Sequence, residues 1–485
     1  MADTTEPGTA APRIRAVVLA AGAGSRFGGS KLEARVDGKP VLQHVLDALA
    51  EAGLGDAVVV VADPPPVGID WGAAELVTNA DPARGLSSSL QLGWSWAMAR
   101  VPRPDAILLA LGDQPLLRAD VVRTLVAEPL DASRPLLAIR YSDHAARNPV
   151  RIEAAAEDLV AAGYSDMGLG PHISEHPELL RLLEIDGTNP DVDRRADLAD
   201  VADTMWAQRV RGNREQVDRL REEPDGPDFY AKVSSIFRDD PDRTGDPVLD
   251  ALRSHARPSD TWLDIGAGAG RYALPLARVV ERVIALDPSR SMLEGLREGM
   301  SAHQIENVHV IESRWPEAIL AAGQVAAEGE TLAADVSLIA HVGYDVEAIW
   351  PFVEAMEHAT TRECLAILME RSPAAMAEPF WPEIHGERRI SLPALPAFVD
   401  LLSAHGRQPS VQLLESARRT WASREEIEGF VRRQTWVRPG SRKDHRMQAL
   451  LDRWLVRAAD GTWELSIGEP LQVGLVAWEP GLAAR

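Results

Sequence analysis

Twice along this chain a short apolar run passes straight into closely spaced glycines and then into a helical pattern: Ala16–Ala20 ahead of Gly22, and Thr261–Ile265 ahead of Gly266. Such a run reads as a buried strand, and glycine lets the backbone turn at the strand's end with its N–H groups open to a ligand. Each segment is the opening strand-turn-helix unit of its own open α/β sheet. Two sheets also suit the length, because 485 residues exceed what one hydrophobic core serves.

The expected fold class is therefore α/β, with two doubly wound, Rossmann-like domains. Further strands are expected at Ala57–Val61, Ala106–Leu111 and Leu136–Ile139 in the first half, and at Arg282–Leu286, Val308–Ile311, Val336–Ala340 and Cys364–Met369 in the second. Their alternation with helical stretches predicts parallel sheets. The charged run Arg221–Asp228, REEPDGPD, carries proline and glycine and is the expected boundary. This gives a first domain over residues 12–200, a helical linker over 201–227 and a second domain over 228–485. Ser423–Leu455 is helical in pattern and opens with Ser423 and Glu426 at capping-box spacing, and Asp460-Gly461 between two strand-like runs predicts a hairpin. Together they predict a small C-terminal α+β appendage.

A formal net charge of -22 repels a phosphate backbone over most of the surface, so polymeric nucleic acid is not an expected partner. Cys364 is the only cysteine, which excludes an intrachain disulfide and a thiolate metal cluster and fits a reducing, cytoplasmic setting. Met1–Ala11 lacks the basic-then-apolar order of a secretory leader, and no stretch of about 18 apolar residues suggests a membrane span.

Leu19–Lys31 reads LAAGAGSRFGGSK. Glycine N–H groups can approach phosphate oxygens closely, and Arg26 and Lys31 can neutralise the charge of a departing pyrophosphate. The segment lacks the Gly-Lys-Ser/Thr ending of a P-loop, and its two cations are not part of the dinucleotide fingerprint. Asp113, in Gly112-Asp113-Gln114-Pro115, follows an apolar strand, where open α/β sheets place ligands. Taken alone, an Asp there also fits a helix cap.

The run LAAGAGSRFGGSK resembles the signature of the MobA-like nucleotidyltransferases, and more narrowly that of the molybdenum-cofactor cytidylyltransferases. Further segments follow in the family's order over Arg13–Ala199: NADPARGLSSSL (Asn79–Leu90), GDQP (Gly112–Pro115), RNPV (Arg147–Val150), SDMG (Ser165–Gly168) and DVDRRADL (Asp191–Leu198). The resemblance implies nucleotide contacts from Leu19, Ala20, Ala21, Gly22, Gly24, Asn79, Gly85, Ser87 and Ser88. It implies catalytic roles for Arg26, Lys31 and Asp113, and a Mg²⁺ held by Asp113 with Asp191 or Asp193. RNPV and SDMG would line the acceptor site. The implied donor is CTP or another nucleoside triphosphate, the acceptor a molybdopterin-type cofactor, and the partners molybdoenzyme-maturation proteins. Arg194-Arg195 departs from the family's usual Thr-Pro, beside the metal carboxylates.

Trp262–Gly270 reads WLDIGAGAG, and a second strand ends at Asp287-Pro288-Ser289. Dinucleotide enzymes share the glycines and the second acid, but not an acid such as Asp264 ahead of the first glycine. This pattern resembles the class I S-adenosylmethionine-dependent methyltransferases. The resemblance implies donor contacts from Asp264, Gly266, Gly268, Gly270, Asp287, Ser313, Arg314 and His341, with Asp264 on the methionine amino group and Asp287 on the ribose. His341 fits either a general base or a strand-end histidine held by the backbone. Trp315 and Tyr344 fit either stacking on a planar ligand or filling a core.

Ser423–Asp444, with Arg424, Arg432, Arg433, Trp436, Arg438 and Lys443, is the clearest basic stretch. It reads either as a phosphate- or carboxylate-recognising surface for the methyl acceptor or as a solvated face of mixed charge. The expectation is a bifunctional enzyme. A sugar phosphate as nucleotidyl acceptor, or a non-catalytic role for one half, are the competing readings.

Overall fold

The computed structural model describes residues 12–22, 24–142, 148–162, 175–222, 239–317, 332–414, 419–468 and 470–481. Arg147 and the SDMG segment lie outside the described residues. The chain divides into two compact units, Met1–Ala202 and Asp203–Arg485.

The first unit is built on strands β1 (Ile14–Ala20), β2 (Val58–Val61), β3 (Glu75–Thr78), β4 (Ala106–Leu111), β5 (Leu136–Tyr141), β6 (Val150–Glu153) and β7 (Leu180–Ile185). They form one seven-stranded sheet in the order β3-β2-β1-β4-β6-β5-β7. Alternate side chains of β1 serve opposite faces, as strand geometry requires: Ala16, Val18 and Ala20 join one core, Val17 and Leu19 the other. Helices Val41–Glu51 and Ala119–Ala127 cover the first face through Leu42, Val45, Val122 and Leu125, and helix Leu86–Met98 covers the second through Leu90 and Trp94. The sheet is not wholly parallel, because β6 runs antiparallel to both β4 and β5. The sequence hid this strand: its alternate positions are Arg151 and Glu153, both buried and paired at 3.1 Å, with the Arg151 guanidinium also donating to the carbonyls of Leu125 and Pro129.

The second unit's sheet contains β8 (Thr261–Ile265), β9 (Arg282–Asp287), β10 (Val308–Glu312), β11 (Ala334–Ala340), β12 (Thr360–Met369), β13 (Ser410–Leu414) and a last strand, Val473–Trp478. Between β13 and that last strand, β14 (Leu455–Arg457) and β15 (Trp463–Leu465) form a separate ribbon, which makes Val473–Trp478 strand β16. The order is β10-β9-β8-β11-β12-β16-β13, and β16 is antiparallel to its neighbours.

The expectation of parallel sheets is thus corrected to two mixed sheets. The expected C-terminal appendage is corrected as well, since the chain returns to the sheet after it. Helices Arg424–Thr435 and Arg442–Trp454 with the β14–β15 ribbon are an insertion between β13 and β16. They surround their own core of Phe380, Trp421, Ile427, Phe430, Met447 and Leu451. Ser423 caps the first of these helices, its Oγ accepting from the Glu426 N–H at 3.2 Å, and Asp460 Oδ1 closes the hairpin by accepting from the Thr462 N–H at 2.9 Å.

Within the span expected as a linker, helix Arg195–Leu220 is packed on the second unit from Asp203 onward. Trp206 donates to the Val346 carbonyl at 2.9 Å, and the Gln216 amide exchanges hydrogen bonds with Arg388 and Ile390. Among the described residues no helix is long and apolar enough to cross a membrane.

Candidate active sites

In the first unit, β1 and β4 are adjacent and parallel, with Leu19 opposite Leu111, so the glycine loop after β1 and Asp113 after β4 leave the sheet at the same edge. The Gly112 N–H donates to the Leu19 carbonyl at 2.9 Å and ties the two exits together. Lys31, returning from the loop, donates to Asp113 Oδ2 at 2.5 Å and to Asp193 Oδ1 at 2.9 Å. These partners are 82 and 162 residues away in sequence, so the tertiary fold alone brings them together. Burial works against the Lys31 ammonium, but the two carboxylates outweigh it and raise its pKa above the ordinary value. The Lys31 hydrogen bond in turn lowers the Asp193 pKa. Arg26 stands at the rim, largely exposed, 3.8 Å from Asp193 Oδ2.

The charge of Asp113 also acts on Asp191, and the Gln114 amide donates to the Asp191 Oδ1 at 2.6 Å. Although Asp191 still reaches solvent, desolvation by nearby protein atoms and then the Asp113 charge push its carboxyl up to about 6. Asp113 Oδ1 is shielded and has no hydrogen-bond partner among the described residues. Close carboxylates with an orphaned oxygen are an arrangement that a hard divalent cation relieves. Asn189, fully buried against Gln114, was missed from sequence; a lone Asn carries no motif.

The Arg194-Arg195 departure has a local role. Asp197 accepts from the Asp193 and Arg194 N–H groups, and the Arg195 guanidinium lies 5.2 Å over the Phe27 ring, tying the closing turn to the glycine loop. At the same sheet edge, beyond β3, the Asn79 amide donates to Ser88 Oγ and Ser89 Oγ at 3.1 and 2.9 Å. Gly85, at φ 89°, turns the chain into helix Leu86–Met98, so Ser87 and Ser88 lie in its first turn. Leu19, Ala20 and Ala21 are buried at the end of β1, Gly24 sits in the loop at φ 58°, and the space where a Cβ on Gly22 would lie is open.

In the second unit, β8 and β9 pair in parallel with Asp264 opposite Ala285, and their ends bring Asp264 and Asp287 together. Asp287 is the ordered one: its Oδ2 accepts from the Gly268 N–H at 2.9 Å and its Oδ1 from the Ser289 N–H at 2.8 Å. Asp264 is buried with Oδ1 unpartnered among the described residues. Burial, then the Asp287 charge, raises its pKa to about 7. Gly266 and Gly270 pack tightly, since a Cβ would fall 2.5 Å from Val342 Cγ2 and 2.4 Å from Leu296 Cδ1, whereas a Cβ on Gly268 would meet open space.

His341 follows β11 at φ 58°, with its Nδ1 shielded and unpartnered among the described residues. Burial, then Arg271, lowers its pKa to about 4. Ser313 is anchored through its N–H to the Asp287 carbonyl at 3.2 Å, and Arg314 is exposed. Trp315 and Tyr344 take the core-filling role: the Trp315 indole donates to the Phe352 carbonyl, and the Tyr344 hydroxyl accepts from the Met369 N–H at 2.7 Å.

Comparison with known proteins agrees with this division. Residues 16–179 match the family model described as the MobA-like NTP transferase domain, and residues 263–327 match a methyltransferase domain. A probable molybdenum cofactor guanylyltransferase of Thermococcus gammatolerans is 30% identical over 158 residues, covering 30% of this chain and 76% of that protein. The bifunctional protein GlmU of Syntrophomonas wolfei is 35% identical over 120 residues, and the match spans 24% of this chain and only 25% of that protein. The crystal structure of Rv0371c from Mycobacterium tuberculosis is similar over 40% of this chain and 98% of that one, at 23% identity and a TM-score of 0.35. The chain belongs to the MobA-like NTP transferase family, with a methyltransferase domain following in the same polypeptide.

Proposed function

We propose that the first unit transfers a nucleotidyl group from a nucleoside triphosphate to a molybdopterin-type acceptor, and that the second transfers a methyl group from S-adenosylmethionine. The observation that carries the first part is the meeting of Lys31 with Asp113 and Asp193 beside the open loop at Gly22. The loop's N–H groups bind the triphosphate, and Lys31 and Arg26 offset charge as pyrophosphate leaves. Asp113 and Asp191 hold a Mg²⁺, which supplies charge neutralisation at the phosphates. Asp193 holds Lys31 in place.

CTP is the assigned donor, on the GDQP turn and the LAAG opening. The relative named a guanylyltransferase makes GTP its competitor in the assay. The GlmU match is what keeps a sugar phosphate in view as acceptor. The test incubates the purified chain with each labelled triphosphate, offering molybdopterin or a panel of sugar phosphates, and follows pyrophosphate release. Release with sugar phosphates alone overturns the molybdopterin assignment.

For the second unit the carrying observation is the unpartnered Asp264 oxygen beside the ordered Asp287 and the open Gly268. Asp264 receives the donor's amino group and Asp287 its ribose, while the positive-φ glycines keep the floor of the crevice free of side chains. Calorimetry with S-adenosylmethionine tests this directly. Binding by the native chain, lost in Asp264→Ala with triphosphate turnover intact, is expected; equal binding by both proteins overturns it.

A further inference from the structure

The inserted subdomain contains a pocket of about 340 Å³ lined by Arg419, Trp421, Glu426, Phe430 and Arg433. Three cations of the Ser423–Asp444 stretch are already engaged. Arg424 pairs with Asp452, Arg432 with Asp444 and Glu428, and Lys443 donates to the Leu220 carbonyl. Arg433, and Arg419 just ahead of the stretch, both line this pocket, and neither makes an ion pair among the described residues. The Arg419 guanidinium lies over two rings, 5.2 Å from that of Trp421 and 4.9 Å from that of Phe430, which fixes it while leaving its edge N–H groups free for an acceptor. Trp421 is buried, and its indole N–H is unpartnered among the described residues.

Keeping two guanidinium groups side by side costs free energy that a bound anion returns. Desolvation, followed by the charges of Arg433 and Arg271, lowers the Arg419 pKa against the opposing charge of the Glu426 carboxylate, and desolvation lowers that of Arg433. Arg271 directly follows Gly270 of the glycine loop and also acts on His341 at the end of β11. The charge of Arg271, at one edge of the crevice assigned to the methyl donor, thus reaches the pocket.

We propose that this pocket seats an oxyanion of the methyl acceptor, a small molecule whose phosphate or carboxylate is gripped by Arg419 and Arg433. This rests on the methyltransferase reading of the second unit. Arg–oxyanion pairs are directional and can be bidentate, so the pocket would orient the acceptor as well as hold it.

The test titrates the full chain with phenyl phosphate and, separately, with benzoate, followed by saturation-transfer NMR, and measures S-adenosylmethionine affinity by calorimetry on the same samples. Arg419→Gln and Arg433→Gln are expected to weaken one or both probes at least tenfold while leaving donor affinity within twofold. Arg433→Lys is expected to lose less than Arg433→Gln, and Arg438→Gln, outside the pocket, to lose nothing. Tighter phenyl phosphate identifies a phosphorylated acceptor, and tighter benzoate a carboxylate. Probe affinities that are the same in the native chain, Arg419→Gln and Arg433→Gln overturn the oxyanion site even when donor binding is intact. Absence of donor binding in the native chain overturns the methyltransferase reading instead, and the assignment to a methyl acceptor with it.

Discussion

Lys31 Nζ and Asp113 Oδ2 meet at 2.5 Å although 82 residues separate them, and this contact joins the glycine loop to the turn after β4. It fixes a cation between the loop and that turn, and among the described residues the other Asp113 oxygen has no partner.

Asp113→Asn is expected to keep the fold, because an amide oxygen can still accept from Lys31, yet to lower nucleotidyl transfer ~100-fold or more. Lys31→Met is expected to lower it similarly and also to cost about 1–3 kcal/mol of stability, since Asp113 loses a buried partner. Pyrophosphate release and urea unfolding of both variants check this; native turnover in Asp113→Asn would remove that carboxylate from the mechanism.

The raised Asp264 pKa has a definite sign. A carboxyl lifted from its ordinary 3.8 to about 7 contributes stability that is fully present below pH 3.8 and is lost as pH rises through 7. Without ligand, Asp264→Asn is expected to lose less stability than the native chain between pH 4 and 7. Parallel unfolding midpoints across that range would refute the shift.

His341 has the opposite sign. With its pKa lowered to about 4, its stabilising contribution is complete above pH 6.5 and is lost as pH falls toward 4. The imidazole is expected to stay neutral at pH 6, checked by the ring shifts of labelled histidine against His341→Gln. Titration near pH 6.5 would contradict the burial described above.

The glycines of the second loop separate packing from binding. Gly266→Ala and Gly270→Ala are each expected to destabilise by roughly 1–3 kcal/mol, since each places a Cβ within 2.5 Å of a neighbouring side chain at positive φ. Gly268→Ala meets open space and pays only the strain of its φ of 55°, so its main loss is expected in donor affinity. Thermal midpoints and calorimetry on the three variants check the division.

How much was legible in the sequence followed from how local each signal was. The two strand-glycine-helix openings, the Ser423 cap and the Asp460-Gly461 hairpin depend on neighbours in sequence, and each stands where expected. Strand β3, ELVT, is short and largely exposed, and β6 buries a charged pair whose further partners, the Leu125 and Pro129 carbonyls and the Arg181 guanidinium, are distant in sequence. The same holds at the sites. Lys31, Asp113, Asp264 and Asp287 were marked by motifs, whereas Asn189 and Arg419 acquire their roles through contacts made in space. The family's Thr-Pro pattern could not reveal that Arg195 would lie over Phe27.

Strand β16 lies between β12 and β13 although the whole inserted subdomain precedes it in sequence. A ribosome therefore releases the glycine loop, the donor-side acids and the insertion long before the strand that seals the sheet. Until Val473–Trp478 emerges, β12 and β13 expose unsatisfied backbone edges to any passing chain. During synthesis this half of the protein depends on its final strand to escape misassembly, and nonsense codons upstream of residue 473 should yield aggregates rather than a weakened enzyme.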